Sequence, residues 1–116
     1  MINIDSIPLN YNEQTGLKGI IEELTEKYPF IKKIILYGSK ARGDYIEESD
    51  LDLLFITTND IPRFSKMEIS DIIYNYELAN DIVVSAIFVS ESEFGKSINL
   101  FLRKVKKEGI IIWSRE

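Results

Sequence analysis

The chain has 116 residues, 45% of them hydrophobic and 28% charged, which suits one globular domain over residues 1–116 and leaves no room for two. Cysteine and histidine are both absent, excluding disulfides, thiolate and imidazole metal sites, a Ser-His-Asp triad and the usual imidazole base. A formal net charge of −5 argues against a basic face for nucleic acid.

What remains for chemistry is carboxylates, hydroxyls, Lys and Arg. Oxygen ligands of that kind suit Mg²⁺, or Mn²⁺, rather than zinc. No apolar run approaches the ~20 residues of a membrane span. The start, Met1 to Asp5, lacks the basic opening and apolar core of a signal peptide, so a cytoplasmic protein with no membrane partner is expected.

Residues 1–12 show no clean periodicity and hold Pro8, which reads as an arm. From Thr15 to Tyr28, Leu17, Ile20, Ile21 and Leu24 recur at helical spacing, with Thr15 as N-cap and Pro29 as the stop. Ile31 to Tyr37 reads as a strand covered on both faces. Ser39 to Arg42 reads as a short helical turn, Gly43 to Ser49 as a loop, and Leu51 to Thr57 as a second strand. After the break at Asn59-Asp60-Ile61-Pro62, a helix is marked by Met67, Ile69, Ile72, Ile73, Tyr76 and Leu78 and ends near Asn80. Asp81 to Ser90, rich in branched residues, reads as the third strand. Glu91 to Glu108 reads as one helix capped by Ser90 or Ser92, with Ile98, Phe101, Leu102 and Val105 inward and Gly109 as its stop. Ile110 to Trp113 closes as a short strand.

This order predicts an α/β (α+β) domain: a small mixed β-sheet with helices packed mainly on one face. The first two strands, joined by a loop alone, should be antiparallel neighbours.

The stretch from Ile34 to Ile56 carries the chemistry. An apolar run ends at Gly38-Ser39, where a glycine and a small hydroxyl residue let backbone N–H groups approach a phosphate. The next strand opens with Asp50 and Asp52, whose i, i+2 spacing puts both carboxylates on one face. Carboxylates facing a phosphate cradle describe a divalent-metal and nucleoside-triphosphate site. Each half has a plainer reading, as an ordinary turn and as a solvated strand edge; together they favour the metal.

Gly38-Ser39-Lys40-Ala41-Arg42-Gly43-Asp44 followed by Ser49-Asp50-Leu51-Asp52-Leu53 resembles the signature of the DNA-polymerase-beta-like nucleotidyltransferases, and more closely that of the small stand-alone minimal nucleotidyltransferases. The resemblance extends to Asp81-Ile82-Val83-Val84 and to Lys107-Glu108-Gly109-Ile110. It implies a nucleotidyltransferase-like fold, Mg²⁺ on Asp50 and Asp52, and triphosphate held by Gly38 and Ser39. It also implies a third carboxylate that binds a second metal and deprotonates the attacking hydroxyl. Asp81 matches that position, with Glu77 and Asp71 as weaker substitutes. Arg42 either steadies the triphosphate or ties down the loop.

By that resemblance the activity is transfer of AMP from ATP to a hydroxyl, a tyrosine of a small helical toxin partner being a candidate acceptor, with this chain as antitoxin of a toxin–antitoxin pair. The alternative is a non-catalytic antitoxin or adaptor with a vestigial metal site, binding through apolar surface such as Phe94, Phe101 and Trp113. Tyr74 and Tyr76 read as packing residues, and Arg103 to Lys107 as a solvated helix end.

Overall fold

The computed structural model of the chain describes residues 4–44, 49–96 and 99–115. After a single turn at Ile4–Ser6, the first helix, α1, spans Tyr11–Lys27. It starts a turn before Thr15 because Asn10 and Glu13 close a reciprocal cap. Asn10 Oδ1 accepts from the Glu13 N–H at 2.8 Å, and Glu13 Oε1 accepts from the Asn10 N–H at 3.1 Å, which satisfies two donors that a helix start leaves open. The strands β1 (Ile31–Tyr37) and β2 (Leu51–Thr57) and the single-turn helix α2 (Ser39–Arg42) lie where their residues predict them.

Helix α3 runs Arg63–Asn80, opening directly after Pro62. The third strand, β3, is Val84–Ser90 and begins three residues later than its composition suggests. Asp81 is the reason: it caps α3 in the left-handed conformation (φ 54°, ψ 54°), which no extended strand accommodates. The predicted helix from Glu91 to Glu108 is two helices, α4 (Glu91–Lys96) and α5 (Leu100–Glu108). Ser90 caps the first, its Oγ accepting from Glu93 N–H at 3.2 Å. Asn99 caps the second, its Oδ1 accepting from Leu102 N–H at 2.8 Å. Ile98, expected to point inward, lies outside the described residues. Gly109 ends α5 with an ordinary φ of −71°; a Cβ there would stand 2.5 Å from Val105 O and from Ile35 Cγ2, so close packing rather than a left-handed turn requires glycine. The last strand is β4 (Ile110–Ser114).

Among the described residues the strands form one mixed sheet in the order β3-β2-β1-β4. β1 is antiparallel to both β2 and β4, whereas β2 and β3 run parallel because α3 crosses between them. The long helices α1 and α3 cover one face, where Leu17, Ile20, Ile69 and Ile73 bury against Leu51, Leu53 and Phe55. The short α5 covers part of the other, where Leu102 and Val105 meet Ile35, Leu54 and Ile56. Alternation along β2 therefore puts Asp52 on this second face, beside the part that α5 leaves open. Among the described residues no helix is long and apolar enough to cross a membrane.

Candidate active site

The antiparallel register sets Tyr37, the last residue of β1, directly opposite Asp52. The chain then turns at Gly38 (φ 75°, ψ −158°) so sharply that a Cβ at that position would collide with Asp52 Oδ2. Only glycine allows both the backbone angle and the approach. The bend and the carboxylate thus come together through β pairing, from residues fourteen apart in sequence, 38 and 52.

Beyond the bend, Gly38 C=O accepts from the Ala41 and Arg42 N–H groups at 3.1 and 3.0 Å, so α2 forms at once and Ser39 stands at its start. The opening N–H groups of such a turn face outward, with the positive end of its dipole. What anchors α2 is Lys40. Its side chain is 1% exposed and its Nζ lies 2.7 Å from Oε2 of Glu13, itself 7% exposed, the same carboxylate that caps α1. Arg42 pairs with Asp44 (Nε to Oδ2, 3.1 Å) and with Glu108 at the end of α5 (Nη1 to Oε2, 3.2 Å). These contacts link Asp44 and the end of α2 to the end of α5.

Asp50 is exposed and Asp52 partly buried. Burial, and then the neighbouring Asp50 charge, push the Asp52 carboxyl above the ordinary carboxylate range, while Arg42 pulls it the other way. Burial and then Asp52 likewise raise the Tyr37 hydroxyl. In the parallel register Ser85 of β3 pairs with Asp52 and shares its face. Tyr37, Lys40 and Ser85 were not legible as site residues in the sequence. Alternation could have suggested Ser85 only once the start and partner of β3 were known.

Asp81 lies at the same end of the sheet as Asp50, since β2 and β3 run parallel and each acid precedes its strand. It is nonetheless an exposed helix cap rather than a strand residue, and among the described residues no three acidic side chains stand together as a metal-holding group. Of the substitutes, Glu77 is committed to structure, its Oε2 accepting from the Val84 N–H at 2.9 Å, and Asp71 is exposed on α3. The cavity next to the bend, about 160 Å³, opens between Tyr37 and Gly38 on one side and α5 on the other. Phe94 and Trp113, candidates for exposed apolar surface, are partly buried, and Phe101 packs its ring edge-on to Tyr37 (centroids 5.4 Å apart, 84°). Phe101 is itself exposed, as are Leu100 on α5 and Phe64, Met67, Tyr74 and Leu78 on α3. Tyr76 packs against the core and donates from its hydroxyl to Glu23 at 2.7 Å.

The family model described as Nucleotidyltransferase domain matches residues 17–112, from α1 to β4. A protein of Methanocaldococcus jannaschii named "putative protein adenylyltransferase" is 40% identical over 104 residues, covering 88% of this chain and 99% of its own. A Sulfolobus solfataricus structure described as "a putative nucleotidyltransferase" superposes with a TM-score of 0.60 at 27% identity, over 87% of this chain and 79% of that one. A chain from the Shewanella oneidensis complex of a tri-AMPylated HEPN toxin with its MNT antitoxin shares the fold, with a TM-score of 0.58 at 19% identity over 89% of this chain and 73% of that one. With the match running from α1 to β4 across the bend at Gly38 and the Asp50–Asp52 pair, the chain belongs to the nucleotidyltransferase-domain family.

Proposed function

We propose that the chain transfers AMP from ATP to a hydroxyl of a partner protein, a tyrosine of a toxin, and so serves as the antitoxin of a toxin–antitoxin pair. The observation that carries the reading is the contact of Gly38 with Asp52, which sets the Gly38-Ser39 bend against a carboxylate. Relatives support the rest by their names alone: one is called a protein adenylyltransferase, and another is an antitoxin found with an AMPylated toxin.

The donor set fits Mg²⁺. Asp50 is close enough to raise the cost of ionising Asp52, and Mg²⁺ is usually held by one or two carboxylates plus substrate phosphates rather than by an all-protein cage. Two acids therefore suffice. Once bound there, the cation would supply positive charge against the triphosphate and the departing pyrophosphate. Ser39 and the N–H groups following Gly38 grip the phosphates and hold the α-phosphorus in place. The acceptor hydroxyl oxygen bonds to that phosphorus, the bond to the bridging oxygen of the β-phosphate breaks, and pyrophosphate leaves. The hydroxyl proton goes to Asp52, the partly buried member of the pair.

The test is the mass of the protein encoded beside this one after incubation with ATP and Mg²⁺. Wild type is expected to add one AMP, and Asp50→Asn/Asp52→Asn to add none. Asp81→Asn separates the third acid from the pair. Asparagine tolerates the left-handed cap, so the variant removes only the charge. Its rate is expected within roughly tenfold of wild type, against losses of at least ~100-fold for either member of the pair. A loss of that size at Asp81 would put it back among the metal ligands. Neutralisation of the partner that persists in the double mutant without any mass gain would favour the binding-only reading, for which the exposed side chains of α3 are the candidate surface.

A further inference from the structure

The cavity beside the bend has features that phosphate and metal binding do not use. Tyr37 and Gly38 form one wall and Phe101 and Val105 of α5 the other, with Arg42, Lys104 and Glu108 completing the lining. It is a pocket of about 160 Å³ that opens to the surface beside the cluster buried under α5. Here it is held open. The Arg42–Glu108 ion pair fixes the end of α5 against α2, and the edge-on contact of Tyr37 with Phe101 braces the two rings. Phe101 stays 39% exposed instead of collapsing inward. Gly38 lines this space and also abuts Asp52, so cavity and carboxylates share a wall.

Resting on the transfer reading above, we propose that this cavity seats the nucleobase of the triphosphate whose phosphates lie at the Gly38-Ser39 bend. Its size suits a flat bicyclic ring and falls short of the ~300 Å³ and more that a drug-sized ligand occupies. Its apolar walls match the faces of a base, and Phe101 is the aromatic side chain against which the base stacks. Lys104 supplies donors, and the ring nitrogens of a purine are acceptors. The pocket makes ATP a better ligand than its bare triphosphate.

Calorimetric titration of the full chain in Mg²⁺, with ATP and with inorganic tripolyphosphate, tests this. Phe101→Ala is expected to weaken ATP roughly tenfold and to leave tripolyphosphate unchanged. Both ligands weakening alike, or neither weakening, overturns the pocket while the transfer reading stands. A wild-type chain that binds neither ligand overturns the transfer reading, and the pocket with it. Photolabelling of wild type with 8-azido-ATP needs no substitution and so stands even where Phe101→Ala does not fold. Label on α5 or the end of β1 supports the pocket, and label confined to α3 or β3 overturns it.

Discussion

Asp52 sits between two demands. The fold half-buries it beside Asp50, which disfavours its charge, and the Mg²⁺ binding proposed for it needs it ionised. A carboxyl whose pKa is higher in the folded chain than in the unfolded one contributes stability that is full below the unfolded value, near 3.8, and is lost as pH rises through the folded value. At neutral pH the ionised Asp52 therefore lowers stability. Asp52→Asn is expected to melt a few degrees above wild type at pH 7, with a smaller gap at pH 4, close to the unfolded value, where less of the wild-type group is ionised. The gain is limited to that range because solvent screens a half-buried group. Melting curves of both proteins at the two pH values check it, and a gap that is constant or narrows with pH would remove the strain assigned to Asp52. Added Mg²⁺ should close the gap from the wild-type side, since binding to the folded state alone stabilises it.

The short helix α2 cannot hold its own shape, because one turn fixes several backbone angles for few hydrogen bonds. It is placed by its neighbours. Glu13 does double work, capping α1 with one oxygen and receiving Lys40 on the other, so it joins the start of α1 to the helix that follows the bend. Lys40→Met leaves the Glu13 carboxylate buried without its cation, a loss of about 3–5 kcal/mol. Adding Glu13→Gln, which keeps the cap and removes the charge, is expected to recover most of that loss. Urea unfolding of the two single variants and the double closes the cycle; additive losses would mean that the pair is not coupled. The same variants should lose nucleotide affinity more than their stability predicts, since the bend loses its anchor.

For the molecule as a whole, Arg115 closes the fold. Its guanidinium donates to Thr25 O at 2.7 Å and Ile31 O at 3.0 Å, its N–H donates to Lys32 O at 2.8 Å, and it lies 4.8 Å over the Trp113 ring. One side chain thus joins the end of α1, the start of β1 and the last strand. Arg115→Ala strips donors from partly buried carbonyls and is expected to cost roughly 2 kcal/mol. Arg115→Lys should restore only part, because an ammonium lacks the planar fork. Denaturant midpoints of the three proteins measure both.

How much of this was written in the chain follows the range of the forces involved. β1, α2 and β2 were legible to the residue because an apolar run, a Gly-Ser break and a short polar loop are local signals. The pairing of β1 with β2 followed from the short loop between them, and the bend and the two acids were legible as types and spacing. The starts of α1 and β3 were misjudged for local reasons too, an Asn-x-x-Glu cap passed over at Asn10 and a left-handed aspartate taken for strand at Asp81. What no spacing could state is which side chains meet. Sheet register put Tyr37 and Ser85 beside Asp52, and helix packing buried Lys40 on Glu13 and drew Arg42 to Glu108. By itself the sequence determined the elements, the family signature and the kind of chemistry, since these depend on residue identity and near neighbours. Only the tertiary structure set the bend at Gly38 against Asp52 and opened a cavity next to them, because both depend on contacts between segments far apart along the chain.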